Sequence, residues 1–294
     1  MWFGAAIALE AISTANCKLR TANFKAMQAE LTFLGTGTSV GVPTVGCRCA
    51  VCYSTDPHDR RLRPSAMLRW PGRDREQVVI IDTGPDFREQ ALRHRLEHVD
   101  AVLYTHCHAD HIFGMDDLRP ISFAAYREKG PIPLYASEET ASVLRRVYDY
   151  TFAPDATYPN RARVEILPLE AGAMIEGFRF TPIPVMHGEM RIHGLRVGKV
   201  AYLTDVSAIP EASFELLHGL DHLVISALRH KPHATHATVA QAIEWSQRIG
   251  AKRTWFTHIS HDLAHEETNR SLPPGIALAY DGLSFAVDVG EKEA

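Results

Sequence analysis

The sequence predicts a layered α/β protein in which residues 30–294 form one compact domain. Short apolar, β-branched runs such as Val78 to Ile81 and Val99 to Tyr104 alternate with amphipathic stretches such as Asp86 to Arg95, a rhythm that builds sheets covered by helices. Histidines and aspartates gather in the loops just after several of those runs. With 294 residues, 46% of them hydrophobic and 22% charged, the chain can bury a large core.

Leu31 to Leu34 reads as a strand that enters the glycine-rich turn Gly35-Thr36-Gly37-Thr38-Ser39. That turn can bring backbone N–H groups near a phosphate, or serve only as a tight turn, since it lacks the Gly-Lys-Ser/Thr ending of a P-loop. Ser65 to Trp70 and Val78 to Ile81 follow as strands, the second ending in Asp82, which can orient a nearby histidine or cap the next helix. After helix 86–95 and strand 99–104 come a helix from Ile112 to Tyr126, a strand from Pro133 to Tyr135 and a helix from Glu138 to Tyr150. The polar, proline-containing connection Ala153 to Arg161 is long enough for a lid. Strands at Val164 to Leu167 and Phe178 to Ile183 lead to a hairpin, Leu195 to Val197 with Val200 to Leu203, turning at Gly198. A helix (Pro210 to Leu217), a strand (Leu223 to Ser226), a helix (Val239 to Ile249) and a strand (Thr254 to Thr257) complete the pattern, whose rhythm suggests two related halves.

Composition narrows the partners. A formal net charge of -4 gives no electrostatic case for a long nucleic acid or an anionic membrane. Cys17, Cys47, Cys49, Cys52 and Cys107 are an odd set with three crowded together, which fits metal thiolates in a reducing cytoplasm better than a secreted disulfide framework. Residues 1–29 read as an N-terminal extension, with Met27, just before a clean strand, as the natural start. The apolar run Ala5 to Leu9 is stopped by Glu10 and preceded by no Lys or Arg, which argues against a signal peptide or membrane helix. A soluble, cytoplasmic protein is expected.

The chemistry crowds into Tyr104 to Asp116, where His106, His108, Asp110 and His111 occupy six positions directly after a buried-strand pattern. Neutral imidazoles with a carboxylate suit divalent metals such as Zn and Mn. His106 and His108, two apart, share a face in extended geometry, while Asp110 and His111 follow as the chain turns and can reach a second metal a few Å away. Later strand ends add His187, Asp205 and His258. Cys107 points to the opposite face if the segment is extended and is left out. Surface or core roles suit His58, His94, His98, His193, His218, His222, His230 and His265. A second set, Cys47, Cys49 and Cys52 in C-x-C-x-x-C spacing, supplies three ligands of a tetrahedral structural zinc, with His261 the candidate fourth and Arg48 favouring the thiolate form. The charged stretch Asp59-Arg60-Arg61-Leu62-Arg63 reads as an anion-attracting patch or, more simply, as a solvated or carboxylate-paired one.

The motif His106-x-His108-x-Asp110-His111 resembles the signature of the metallo-β-lactamase superfamily of metal-dependent hydrolases, and His187, Asp205 and His258 match its later ligand positions in order. That resemblance implies an αββα sandwich of two mixed β-sheets flanked by helices. It also implies one metal on His106, His108 and His187, another on Asp110, His111 and His258, and Asp205 bridging them. Leu34-Gly35-Thr36-Gly37-Thr38-Ser39, the Gly46 to Cys52 stretch, Arg60-Arg61-Leu62-Arg63 and His258-x-x-His261 together resemble the PhnP-type branch, cyclic-phosphate phosphodiesterases. In that branch the thiols and a histidine bind a structural zinc, and a histidine assists catalysis. His236 in Pro232-His233-Ala234-Thr235-His236 is the best match, with His233 close by.

The implied activity is hydrolysis of a small cyclic or nucleotide-like phosphodiester by a hydroxide that two divalent ions, Mn or Zn, activate, with His236 as proton donor to the leaving alkoxide and Asp110 serving the same centre. The implied partner is that small substrate, with no long nucleic acid and no membrane, and a homodimer is allowed. Two rival readings stand beside it. A tRNA 3′-processing nuclease, or a thioester or lactam hydrolase, would use the same ligands, although no basic, glycine-rich arm for tRNA is evident. A non-catalytic metal-binding or cofactor-assembly protein would not need the full open ligand set.

Overall fold

The computed structural model describes residues 26–155 and 157–293. Most of the expected N-terminal extension therefore lies outside the described residues. Met27 lies inside them, donating its N–H to Gly290 O at 2.9 Å and accepting from Val289 N at 3.0 Å.

The first half of the chain runs β1 (Gln28–Gly35), β2 (Ser65–Pro71), β3 (Glu76–Ile81), α1 (Phe87–Arg93), β4 (Ala101–Leu103), α2 (Ala109–Ile112), α3 (Arg119–Lys129), β5 (Ile132–Ala136), α4 (Glu138–Val147), α5 (Asp149–Phe152) and β6 (Val164–Pro168). The second runs β7 (Ala173–Ile175), β8 (Phe178–His187), β9 (Met190–Val197), β10 (Val200–Leu203), α6 (Glu211–Glu215), β11 (His222–Ser226), α7 (Val239–Ile249), β12 (Arg253–Thr257), α8 (His265–Ser271), β13 (Ile276–Leu278) and β14 (Ser284–Asp288). These form two seven-stranded sheets, ordered β14-β1-β2-β3-β4-β5-β6 and β13-β12-β11-β10-β9-β8-β7. Each sheet is an antiparallel set of four strands continued by three parallel ones, so the two halves repeat one plan.

Side-chain alternation explains the layering. Within β3, Val79 and Ile81 join the core between the sheets, together with Phe33, Leu68, Phe180 and Tyr202. Val78 and Ile80 point the other way, into the core under the helices with Phe87, Leu118 and Leu144. The second sheet does the same, burying Ile183, Val185 and Ile225 against Phe214, Val239 and Ala242 of its helices. A strand buried on both faces reads as an unbroken apolar run, as β3, β4 and β11 do. The αββα sandwich is thus the fold.

Several expected boundaries shift for local reasons. The helix expected from Ile112 to Tyr126 is α2, a 3-10 turn at Met115–Leu118 and α3, interrupted where Gly114 packs against another backbone and restarted at Pro120. The helix expected from Glu138 to Tyr150 divides at Tyr148, whose buried hydroxyl donates to Ile112 O at 3.0 Å. Strand β8 continues through Pro182 and Pro184, accommodated where it has outrun β7 and has one neighbour only. No pattern beyond His261 announced α8, β13 or β14, and β14 closes the first sheet against β1.

Two glycines fix the short helix α2 to the end of β3. A Cβ on Gly84 would lie 2.0 Å from Asp110 O, and one on Gly114 would lie 2.1 Å from Gly84 O. The approach is held by Thr83 N donating to His111 O at 2.8 Å and Gly114 N donating to Thr83 O at 2.7 Å. Only residues without a side chain permit this contact. Gly84→Ala is therefore expected to cost about 1–3 kcal/mol in urea unfolding, the usual penalty for forcing atoms into a filled space. A loss under about 0.5 kcal/mol, the scale of a neutral surface change, would contradict the close packing.

Candidate metal centre

The expected ligands converge on one edge shared by the two sheets. The loop after β4 delivers His106 and His108, α2 delivers Asp110 and His111, β8 ends at His187, and Asp205 and His258 follow β10 and β12. Asp82, Asp205 and His258 each follow a strand and each take a left-handed backbone, with φ of 61°, 58° and 53°. Non-glycine residues pay for such geometry with strain. Here it turns the chain sharply off the sheet at the point where the side chain must face the cluster.

Ligand-type atoms of His106, His108 and His187 lie within 4.8 Å of one another, as do those of Asp110, His111, Asp205 and His258. Their hydrogen-bond partners fix which ring nitrogens carry protons. His187 Nδ1 lies 2.7 Å from Thr235 O, which can only accept, so His187 Nε2 is left as a bare lone pair. Thr105 Oγ1 donates to Asp82 Oδ2 at 2.7 Å and so accepts from His106 Nδ1 at 3.1 Å. His106 Nε2 then faces His108 Nδ1 at 3.1 Å. His111 Nδ1 donates to Asp82 Oδ2 at 2.7 Å, which aims its Nε2 at Asp110 Oδ2, 3.2 Å away, and Asp205 Oδ2, 3.3 Å away. His258 Nε2 lies 3.1 Å from Asp205 Oδ1. The buried Nε2 atoms of His111 and His258 have no well-formed hydrogen bond. Separations of about 3.3 Å are the edges of a tetrahedron with 2.0–2.1 Å metal bonds, so this donor set fits divalent cations.

The electrostatics say the same. Burial opposes ionisation of Asp110 and Asp205, yet His111 holds the first and His258 with His111 the second well below the usual carboxylate range. Against the cost of burial, Asp110, Asp205 and Asp82 raise His111 well above the ordinary imidazole value. Asp205 and Asp110 likewise lift His258 to about 9. Protons on these two imidazoles supply the positive charge that the buried carboxylates require. Burial, reinforced by His111 at one site and His187 at the other, lowers His106 and His108, the neutral form that ligation needs.

Asp82 resolves in favour of orienting a histidine. It accepts from Thr105 N at 2.8 Å, from Thr105 Oγ1 and from His111 Nδ1, while the helix that follows is preceded by Asp86, which makes no side-chain cap. Thr105 and the carbonyl of Thr235 escaped the sequence reading. Thr105 stands directly before the first motif histidine, whereas nothing marks one carbonyl among many.

His236 is close to the cluster, with Nδ1 3.8 Å from Asp205 Oδ1 and its ring 4.7 Å from those of His187 and His258. A proton donor must carry its proton, and in the free protein His236 does not. Burial, with the charge on His258 next, lowers it to about 3 and keeps the ring neutral. His233 is exposed, its ring 5.0 Å from that of His236.

Cys47, Cys49 and Cys52 place their Sγ atoms 3.2, 3.7 and 3.4 Å from His261 Nδ1. Zinc bonds of about 2.3 Å to sulfur and 2.0 Å to nitrogen give tetrahedral edges of about 3.5 Å, so the fourth ligand fits its place. The amide of Cys52 lowers the Cys49 thiol, while burial pushes Cys52 up to about 11.

Other expectations sort out simply. Cys107 is half-exposed near Glu139 and Arg146 and belongs to neither ligand group. The Gly35 to Ser39 turn is no phosphate cradle at its centre, because Thr36 N donates to Asp281 Oδ1 and Gly37 N to Leu62 O. Arg61 and Arg63 are paired with Asp59 and Asp86. His58, His265 and Glu266 also gather within 4.8 Å. Asn269 Oδ1 accepts from Leu278 N, so its Nδ2 donates to His265 Nε2 at 3.0 Å, which leaves a proton on Nδ1 and no free lone pair for a metal.

The β-lactamase superfamily domain matches residues 77–259. The crystal structure of a diphosphatase from the PhnP family is 52% identical, covers 90% of this chain and all of its own, and superposes with a TM-score of 0.84. An octanoyltransferase of Porphyromonas gingivalis is 38% identical over 87% of this chain, which spans only 51% of that protein's length. Ribonuclease Z of Anoxybacillus flavithermus is 24% identical over 88% of this chain and 97% of its own. Among the described residues no helix is long and apolar enough to cross a membrane. By domain match and by close full-length likeness, the chain belongs to the β-lactamase superfamily and, within it, to the PhnP family of metallo-β-lactamase-fold hydrolases.

Proposed function

We propose that this protein hydrolyses a small phosphodiester, cyclic or nucleotide-like, with two divalent cations, Mn or Zn, on the His/Asp cluster and a structural zinc on Cys47, Cys49, Cys52 and His261. The observation that carries the reading is the convergence of three imidazoles in one group, and of two more with two buried, ionised carboxylates in the next. The 52% identical diphosphatase supports attack at phosphorus as the reaction type.

Divalent cations bound there supply Lewis acidity, lowering the pKa of water and offsetting phosphoryl charge. The chain does the rest. Asp82, Thr105 and Thr235 O hold His111, His106 and His187 in the tautomers that face the cluster. Asp110 and Asp205 set the charge that the centre must receive. His236, outside the proposed ligand set, stands 3.8 Å from Asp205 and is neutral while the site is free. An anionic phosphoryl group beside it favours the imidazolium, so proton donation to the leaving oxygen is tied to substrate binding.

Ribonuclease Z likeness favours the nuclease alternative less well, given the net charge of -4 and the sequence distance. Half of the octanoyltransferase lies outside the match, and acyl transfer has no observation in its favour here.

Two outcomes follow. Metal affinity, measured by competition with a chelator, is expected to climb as pH rises from 6.5 toward about 9, because the cation must displace the His258 proton. For the same reason the metal-free protein, whose folded-state pKa is raised, keeps this contribution to stability below 6.5 and loses it as pH passes about 9. Flat affinity across that interval would contradict the charge balance. The wild type should carry about three metals per chain, a closed thiolate site plus a two-metal centre, and His236→Ala should keep them. That variant should turn over a cyclic phosphate about 10²–10⁴-fold more slowly, with a smaller loss on bis-p-nitrophenyl phosphate, whose leaving group needs no proton. Loss of metal in that variant, or equal loss on both esters, would remove the proton-donor role.

A further inference from the structure

The two proposed metal sites meet in one turn of chain. His258 faces the His/Asp cluster and His261, three residues on, faces the cysteines. His258 carries the left-handed φ of 53°, so the turn must be held from outside. Ile259 N donates to Thr36 O at 2.9 Å and Ser260 N donates to Leu228 O at 3.1 Å, which fixes its N–H groups.

One side chain then grips two carbonyls, Ser260 O in the turn and Leu263 O just beyond it. Arg61 is fully buried, donating Nη1 to Ser260 O at 2.9 Å and Nη2 to Leu263 O at 2.7 Å. The same guanidinium reaches Asp59 Oδ1 at 3.0 Å and His58 O at 3.3 Å. The Arg61 backbone is committed as well, exchanging hydrogen bonds of 2.8 and 2.9 Å with Val42, just before the thiolate loop. Within that loop Thr44 N donates to Cys52 Sγ at 3.3 Å. One residue therefore joins the cysteine loop, through its backbone, to the turn that carries a ligand of each site, through its planar fork of donors.

We propose that Arg61 is a positioning residue that couples the two sites, so that closing the thiolate site around its metal sets His258 for the His/Asp cluster. The inference rests on the metal reading above and adds to it an order: the thiolate site fills first, and its filling strengthens uptake at the second. A merely structural arginine would stabilise the fold without linking the two occupancies.

Cobalt(II) titration of the metal-free protein tests this, because thiolate ligation gives an intense near-ultraviolet charge-transfer band that histidine and carboxylate ligation lacks. In the wild type the charge-transfer band should saturate before the visible bands of the His/Asp cluster grow. Arg61→Met should still develop the charge-transfer band but bind cobalt at the cluster about tenfold more weakly, the lower end of what lost outer-shell support costs. Arg61→Lys, which keeps charge and some donors, should recover part of that loss. Cys49→Ser should weaken the cluster by a similar factor with Arg61 intact, and combining it with Arg61→Met should add little. Cluster affinity unchanged in Cys49→Ser, or fully additive losses in the double variant, would overturn the coupling, and the Cys49→Ser arm decides even if Arg61→Met does not fold. Absence of cluster binding in the wild type would instead sink the metal reading itself.

Discussion

Two ionised carboxylates, Asp110 and Asp205, are buried at the seam of the sheets, and the site is organised to satisfy them. A charge removed from water is tolerated only with a counter-charge and oriented partners. In the metal-free protein the counter-charge comes from protons on His111 and His258. On His111 the proton sits on the nitrogen that Asp82 otherwise leaves as a lone pair, so proton and metal compete for the same position. The cluster is thereby poised between two ways of carrying the same charge.

The duplicated architecture explains why such a centre forms where it does. Each sheet turns from antiparallel to parallel pairing at one strand, β3 in the first and β10 in the second. Asp82 and Asp205 follow these two strands, both with left-handed backbone. One orients His111 and the other faces the cluster directly, so related positions of the two halves have taken supporting and ligating roles. Gly84 and Gly114 then bring α2 close enough for Asp110 and His111 to meet groups arriving from the opposite sheet.

Much of this was legible in the sequence because it is encoded locally. Apolar runs gave β3, β4, β10, β11 and β12, and ligand-type residues at their ends gave the cluster, since a strand end projects its next few residues toward one edge. The C-x-C-x-x-C spacing gave the thiolates, whereas His261, more than two hundred residues on, was supported as their partner only by the resemblance of His258-x-x-His261 to a family motif. What stayed hidden depends on contacts distant in sequence. The break between α2 and α3 comes from Gly114 meeting Gly84, which no periodicity records. The neutral state of His236 in the free protein comes from burial beside His258, which no motif records. Arg61 looked like one member of a basic patch, and only the fold shows it closed inside the protein. Strands β13 and β14 are short and half-exposed, defined by their neighbours more than by their own pattern.

The central claim is that the lone pairs meeting at the sheet seam are a place for metal, distinct from the thiolate set. Diffraction from crystals grown with Zn and with Mn, recorded at each metal's absorption edge, addresses it most directly. The account predicts anomalous density at three positions: among His106, His108 and His187, among Asp110, His111, Asp205 and His258, and among the three cysteines and His261. Density at the cysteines alone, with ordered water or nothing between the imidazoles and carboxylates, would contradict it.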